Sequence, residues 1–249
     1  MNEKLNELNK SFYDGIDAMS ADIANKLLNG ETITKDLLLD IAELYEASKC
    51  EKLFENKNFE VAYHEAISSK MEFFISRILY HYSKLKLLGW KIYLRRQVGK
   101  TAPDVRIEKN GKTIAILELK AKTGWIQPLF SYDRFEKDME KFKMKKTGKN
   151  PDDLIKRTIS QMDKYVDTFS IKKQNIFFII PTLREAHRIK YNKKLEDYRN
   201  YFKKITGLDD KNIIILSNNL GLDLDKIESK EEYEPTNEFE NFIKYLSNL

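Results

Sequence analysis

The chain has 249 residues, with 44 Lys and Arg against 39 Asp and Glu, 41% hydrophobic residues and one cysteine. That length allows one large domain, or a core domain with an appendage. A lone Cys50 excludes an intrachain disulfide framework and a cysteine-rich metal site. No apolar run nears the ~20 residues of a membrane span, and MNEKLNELNK has no apolar secretion segment, so the expectation is a cytoplasmic protein with no membrane partner.

Residues ~4 to 29 read as a helix that stops at Asn29-Gly30. Thr32 or Thr34 then caps a second helix, whose stripe of Leu38, Leu39, Ile41, Ala42, Leu44 and Tyr45 runs to about Phe54. These helices form an N-terminal helical extension, residues 1–60. It suits a dimerisation arm, a DNA-recognition element or plain packing equally well. A long helix over ~61 to 88 turns Ile67, Met71, Phe74, Ile75, Ile78, Leu79 and Tyr82 inward. It also carries Glu65 and Glu72, seven residues apart on one face. Gly89 ends it, and Trp90 to Val98 reads as a first strand with Arg95 and Arg96 near its end, placed to meet phosphate.

PDVRIEKNGKTIAILELKAK, residues 103 to 122, is a hairpin around Asn110-Gly111. Side chains alternate along a strand, so the turn decides which charges share a face. A two-residue loop pairs Asp104 with Leu117 and turns Glu118 away. A three-residue loop with a bulge at Gly111 puts Asp104, Glu118 and Lys120 on one face, with Glu118 diagonal to Asp104. The expectation is that three-residue loop, or an equivalent bulge near Pro103. The apolar residues around Glu118 mark its strand as central and covered on both sides.

Residues 123 to 150 mix Trp125, Phe130, Tyr132, Phe135 and Phe142 with many lysines. That mixture suits nucleic-acid contact or an amphipathic helix packing its rings inward. Lys122 and Trp125 are candidate DNA contacts, with Arg95 and Arg96. Asn150-Pro151-Asp152-Asp153 starts a helix that runs to about Phe169. Asn175 to Ile180 is a buried strand ended by Pro181, and a basic helix with Arg184, Arg188, Lys190, Lys193, Lys194 and Arg199 follows. IIIL at 213 to 216 is the last strand. The strand–helix–strand order implies parallel pairing beside the hairpin, hence a mixed sheet. The core is therefore expected over residues 61–220. Residues 221–249 form an acidic segment that docks through a helix at ~236 to 247 bearing Phe239, Phe242, Ile243 and Leu246. That segment has eight acidic and three basic side chains, which leaves 41 basic and 31 acidic before it. Such an excess suits a phosphate-bearing partner.

Two carboxylates and a lysine at the end of a hairpin suit metal-assisted phosphodiester chemistry. Mg²⁺ takes one or two carboxylates and keeps several waters. Asp104 and Glu118 are the candidate metal ligands, with the Leu119 carbonyl as a further one. An ion there would polarise a phosphate and acidify a water. Lys120 would orient or activate that water and stabilise charge on the phosphate oxygens. Glu72 is a candidate fourth member, with Glu65 its rival. No phosphate-binding GxxxxGK[ST] loop is present. His64, His81 and His187 lack metal or triad spacing and read as structural or surface residues.

Pro103-Asp104 and Glu118-Leu119-Lys120, with thirteen residues between the acids, resemble the motifs of the PD-(D/E)xK nuclease superfamily. Many type II restriction endonucleases belong to it. The resemblance covers residues ~60 to 216. It implies a restriction endonuclease-like α/β core, with a mixed central sheet flanked by helices. It also implies Mg²⁺ on the acids, a lysine that assists the attacking water, and 5′-phosphate and 3′-hydroxyl products. Gln161 and Tyr165, four residues apart, match a supporting helix motif best known from recombination and repair nucleases. The leading expectation is a sequence-specific type II restriction enzyme acting on double-stranded DNA as a homodimer. The alternatives are a repair, recombination or phage-defence nuclease on structured or single-stranded substrates, and a non-catalytic DNA-binding module.

Overall fold

The structure is a computed structural model. It describes residues 3–47, 68–120, 151–182, 206–219 and 233–249, with positions 196, 199, 200 and 203 between them. The elements in chain order are α1 (Glu3–Leu28), α2 (Thr34–Ala47), α3 (Ser68–Leu85), β1 (Lys91–Leu94), β2 (Val105–Lys109), β3 (Lys112–Leu119), α4 (Pro151–Phe169), β4 (Ile176–Ile180), β5 (Ile213–Ile215) and α5 (Glu238–Ser247).

The sheet runs β1-β2-β3-β4-β5. β1–β2 and β2–β3 are antiparallel, while β3–β4 and β4–β5 are parallel, so the sheet is mixed as expected. β3 is central and its last five residues are buried. Period-two alternation sends its side chains to two different cores. Ala115, Leu117 and Leu119 join Phe177, Ile179 and Ile214 beneath α1, α2, α3 and α5. Ile116 joins Phe178, Ile213 and Ile215 against Met162 and Tyr165 of α4. The result is three layers, with helices on both faces of the sheet.

The turn differs from expectation. Lys109 pairs with Lys112 across a two-residue Asn110-Gly111 loop. Both turn residues have positive φ, 52° and 75°, which fits the right-handed twist of a tight hairpin and suits Asn and Gly. The register shifts instead between Ile107 and Glu108, where Ile107 faces Ala115 and Glu108 faces Thr113, leaving Ile114 unmatched. This mid-strand bulge does the work assigned to the three-residue loop. Beyond Val105↔Leu117 the next positions outward are Asp104 and Glu118, so the two acids lie opposite rather than diagonal.

β1 is also shorter than the stretch from Trp90 to Val98. It stops at Leu94 because Arg95 takes a positive φ of 47°. α3 is described only from Ser68, so Ile67, Glu65 and His64 lie outside the described residues, as do residues 48–60, 183–195 and 220–232. The N-terminal helices share the main core with α3, the sheet and α5, through Ile16, Ile23, Leu37 and Ile41. The C-terminal helix docks as its pattern predicts, with Phe239, Phe242, Ile243 and Leu246 buried. His81 is structural: its Nε2 lies 2.9 Å from Asp17 Oδ1 and links α3 to α1.

Candidate active site

β2 begins one residue late. The backbone N–H of Leu119, which a longer β2 would have paired, donates instead to Asp104 Oδ2 at 2.8 Å. In return the Asp104 carbonyl accepts from Arg95 N at 3.0 Å. Asp104 is thus pinned between the ends of β1 and β3. Glu118 is held from the α4 side of β3. Its side chain is 3% exposed, and a buried carboxylate needs partners. Lys120 Nζ donates to Glu118 Oε2 at 2.7 Å, and the Tyr165 hydroxyl donates to Oε1 at 2.5 Å. Gln161 Nε2 donates to the Tyr165 hydroxyl at 2.6 Å, which extends the chain to the surface of α4. The i, i+4 spacing of Gln161 and Tyr165 stacks them on one helix face. That places the ring in the core and the amide at its edge.

The electrostatics follow from burial. Burial first, and then the nearby Glu118 carboxylate, push the Asp104 carboxyl up to about 7. Burial works to discharge Lys120, but the carboxylates of Glu118 and Asp104 outweigh it and its pKa is raised. Lys120 is therefore a cation at neutral pH. Burial, reinforced by Glu118, likewise raises the Tyr165 phenol, which stays a donor.

Glu72 lies close enough to act on both Asp104 and Lys120. Its carboxylate is 3% exposed and is gripped by two guanidinium nitrogens of Arg95, one of them at 2.7 Å. Arg95 is consequently raised in pKa through its hydrogen bonds to Glu72 and is tied to the site as Glu72's partner. Arg96 lies 5.0 Å from the Tyr93 ring, away from the acids. Lys122 and Trp125 fall outside the described residues.

The structure therefore gathers Asp104, Glu118, Lys120, Tyr165 and Gln161, with Glu72 and Arg95 alongside. Among the described residues, no group of three or more His, Cys, Asp or Glu side chains is arranged as a metal-ligand set. Two opposed carboxylates with a neighbouring strand-end carbonyl still match the donor set of Mg²⁺, which uses few protein oxygens. A carboxyl raised by burial and then by a like-charged neighbour is a site where added positive charge is favourable. Sequence reasoning missed four cations near Gln161: Lys100, Lys156, Arg157 and Lys164, which line a cleft with Gln161 and Tyr165. Helical spacing sets 156, 157 and 164 on neighbouring rows of α4, but only the fold brings Lys100 beside them. Arg199, read as part of a basic helix, is instead buried, with Nη1 donating to the Ile213 carbonyl at 3.0 Å and Nη2 paired with Glu238.

Fold and cluster together define a mixed α/β protein with a buried acid–lysine–tyrosine site at the ends of its central strands. No described helix is long and apolar enough to cross a membrane. Comparison with protein-family models, curated proteins and solved structures found no match.

Proposed function

We propose that the protein is a Mg²⁺-dependent DNA endonuclease, in its most specific form a type II restriction enzyme working as a homodimer. The observation that carries this reading is the convergence of Asp104, Glu118 and Lys120, with Glu118 held at both oxygens by Lys120 and Tyr165. A buried cluster with this much carboxylate is unfavourable for stability alone, and its chemistry suits a phosphodiester. Bound Mg²⁺ supplies Lewis-acid polarisation of the phosphate. Asp104 and Glu118 would hold the ion, with the Leu119 carbonyl as a further ligand. Lys120, kept protonated by its neighbours, donates to a phosphate oxygen and orients the attacking water. Tyr165 fixes the Glu118 carboxylate, and Gln161 fixes Tyr165. Cutting both strands of a palindrome calls for two sites related by two-fold symmetry, and sedimentation analysis tests for that dimer.

The intact chain Gln161–Tyr165–Glu118 favours a second reading, a repair, recombination or phage-defence nuclease on structured or single-stranded DNA. Its Gln-Tyr form resembles that group.

The test is cleavage of a plasmid library and of single-stranded DNA in Mg²⁺, with an EDTA control. Asp104→Ala and Lys120→Ala abolish cleavage while DNA binding survives. Discrete bands identify a restriction enzyme, and a smear identifies the second class. Undiminished cleavage by either variant overturns the site.

A further inference from the structure

A cleft of about 740 Å³ opens between α4 and the segment joining β1 to β2. Lys100 lines it from that segment, and Lys156, Arg157, Gln161, Lys164 and Tyr165 line it from α4. The four cations are exposed. Among the described residues none has an ion-pair partner, and no carboxylate lines the cleft. Like charges left unpaired around one concavity raise the local potential for an anion. The arrangement is ordered by the helix. Arg157, Gln161 and Tyr165 form one i, i+4 row, with Lys156 and Lys164 in the row beside it. The row ends at the Tyr165 hydroxyl, which touches Glu118. The floor of the cleft therefore abuts the acid cluster through Tyr165.

We propose that this cleft seats the sugar–phosphate backbone of one nucleic-acid strand and leads it to the acid cluster. Naming the ligand as nucleic acid rests on the nuclease reading; the anion site itself rests on the cleft. The volume is that of a pocket enclosing a drug-sized ligand, far smaller than a duplex, so one strand enters. From Arg157 to Tyr165 the helix rises roughly 12 Å, long enough to meet two or three successive phosphates of one strand. Tyr165, the one aromatic ring in the lining among the described residues, is 1% exposed, so no base stacks on it. The contacts go to phosphate, position the strand and carry no sequence information.

The test measures binding of a fluorescein-labelled 20-nucleotide strand and of the matching duplex, in EDTA so that nothing is cut. Fluorescence anisotropy is followed across a salt series. The cleft variant is Lys156→Gln/Arg157→Gln/Lys164→Gln. A control of equal charge change, Lys4→Gln/Lys10→Gln/Lys35→Gln, alters exposed residues of α1 and α2. Circular dichroism verifies that both are folded. The cleft variant is expected to bind at least ~10-fold more weakly at low salt. Its plot of log affinity against log salt flattens by about 2 to 3, at ~0.7 to 0.9 per lost phosphate contact. The control keeps the original slope. The probe that shows the loss identifies whether the strand comes from a duplex or from single-stranded DNA. An unchanged slope on both probes, an equal loss in the control, or no binding of either probe by the unaltered protein overturns the proposal. The two readings fail separately. Absent cleavage with a flattened slope removes the nuclease and leaves the cleft, while cleavage with an unchanged slope does the reverse.

Discussion

Asp104 and Glu118 meet from strands that each end in charge, and their closeness makes Asp104 a pH-dependent liability without metal. Its carboxyl is pushed up to about 7 from an ordinary 3.8, first by burial and then by Glu118. Between those values the folded chain retains a proton that the unfolded chain releases. Linkage then lowers stability as pH rises from about 4 to about 7, and the penalty is constant above. Asp104→Asn keeps an oxygen for the Leu119 N–H and removes the ionisation. In EDTA the variant should gain on the unaltered protein as pH is raised from 5 to 8, by on the order of 1–3 kcal/mol. Thermal unfolding at the two pH values measures it, and parallel curves would show that Asp104 titrates normally. Mg²⁺ needs the ionised carboxyl, so its stabilising shift should be larger at pH 8 than at pH 6. Tyr165 calls for a different substitution. Tyr165→Phe keeps the buried ring and deletes the donor to Glu118. Loss of such a positioning partner is expected to weaken Mg²⁺ affinity or activity by about 10- to 100-fold. A merely structural tyrosine would alter melting and leave the Mg²⁺ concentration for half-maximal cleavage unchanged.

At the scale of elements, what was legible in the sequence was local and periodic. Asn110-Gly111 announced its turn because both residues tolerate positive φ. α5 was legible from its apolar spacing and α4 from the start signal at Asn150-Pro151-Asp152-Asp153, while Gln161 and Tyr165 were marked by the motif they resemble. The bulge at Ile114 was not legible. It lies mid-strand, between Ile107 and Glu108 on the partner, where no turn residue marks it. The nearness of Asp104 and Glu118 was therefore expected through the wrong irregularity, and in a diagonal rather than an opposed register. The end of β1 at Arg95 was equally hidden: its positive φ comes with a side chain bound to Glu72, 23 residues earlier. Cations scattered along α4 look like ordinary solvated charge until the fold sets Lys100 across from them. Long-range pairing, rather than propensity, decided each of these points.

The whole molecule is closed by its two ends. Net charge drew attention to residues 221–249 as an acidic appendage, yet two of their carboxylates are fasteners. Glu238 pairs with buried Arg199, and its Oε2 accepts from Ile215 N at 2.6 Å. Glu240 Oε1 accepts from the backbone N–H groups of Ile33 and Thr34 at 2.9 and 3.0 Å, and its Oε2 accepts from the Thr34 hydroxyl at 2.7 Å. These are the unpaired donors at the start of α2, so a carboxylate from α5 does the capping expected of a threonine. The negative charge also faces the positive end of the α2 dipole. Because α1, α2, α3, α5 and one sheet face share a single core, this cap joins parts that cannot separate cheaply. Glu240→Ala leaves those donors unpaired and should cost about 2–3 kcal/mol. In a chain of this size that lowers Tm by roughly 5–10 °C. Glu240→Gln keeps an acceptor, loses the charge and should fall between. Calorimetry should show one cooperative transition for all three proteins, shifted but not split. An early separate transition would mean that the N-terminal helices melt independently, and an unchanged Tm would mean that water replaces the cap at no cost.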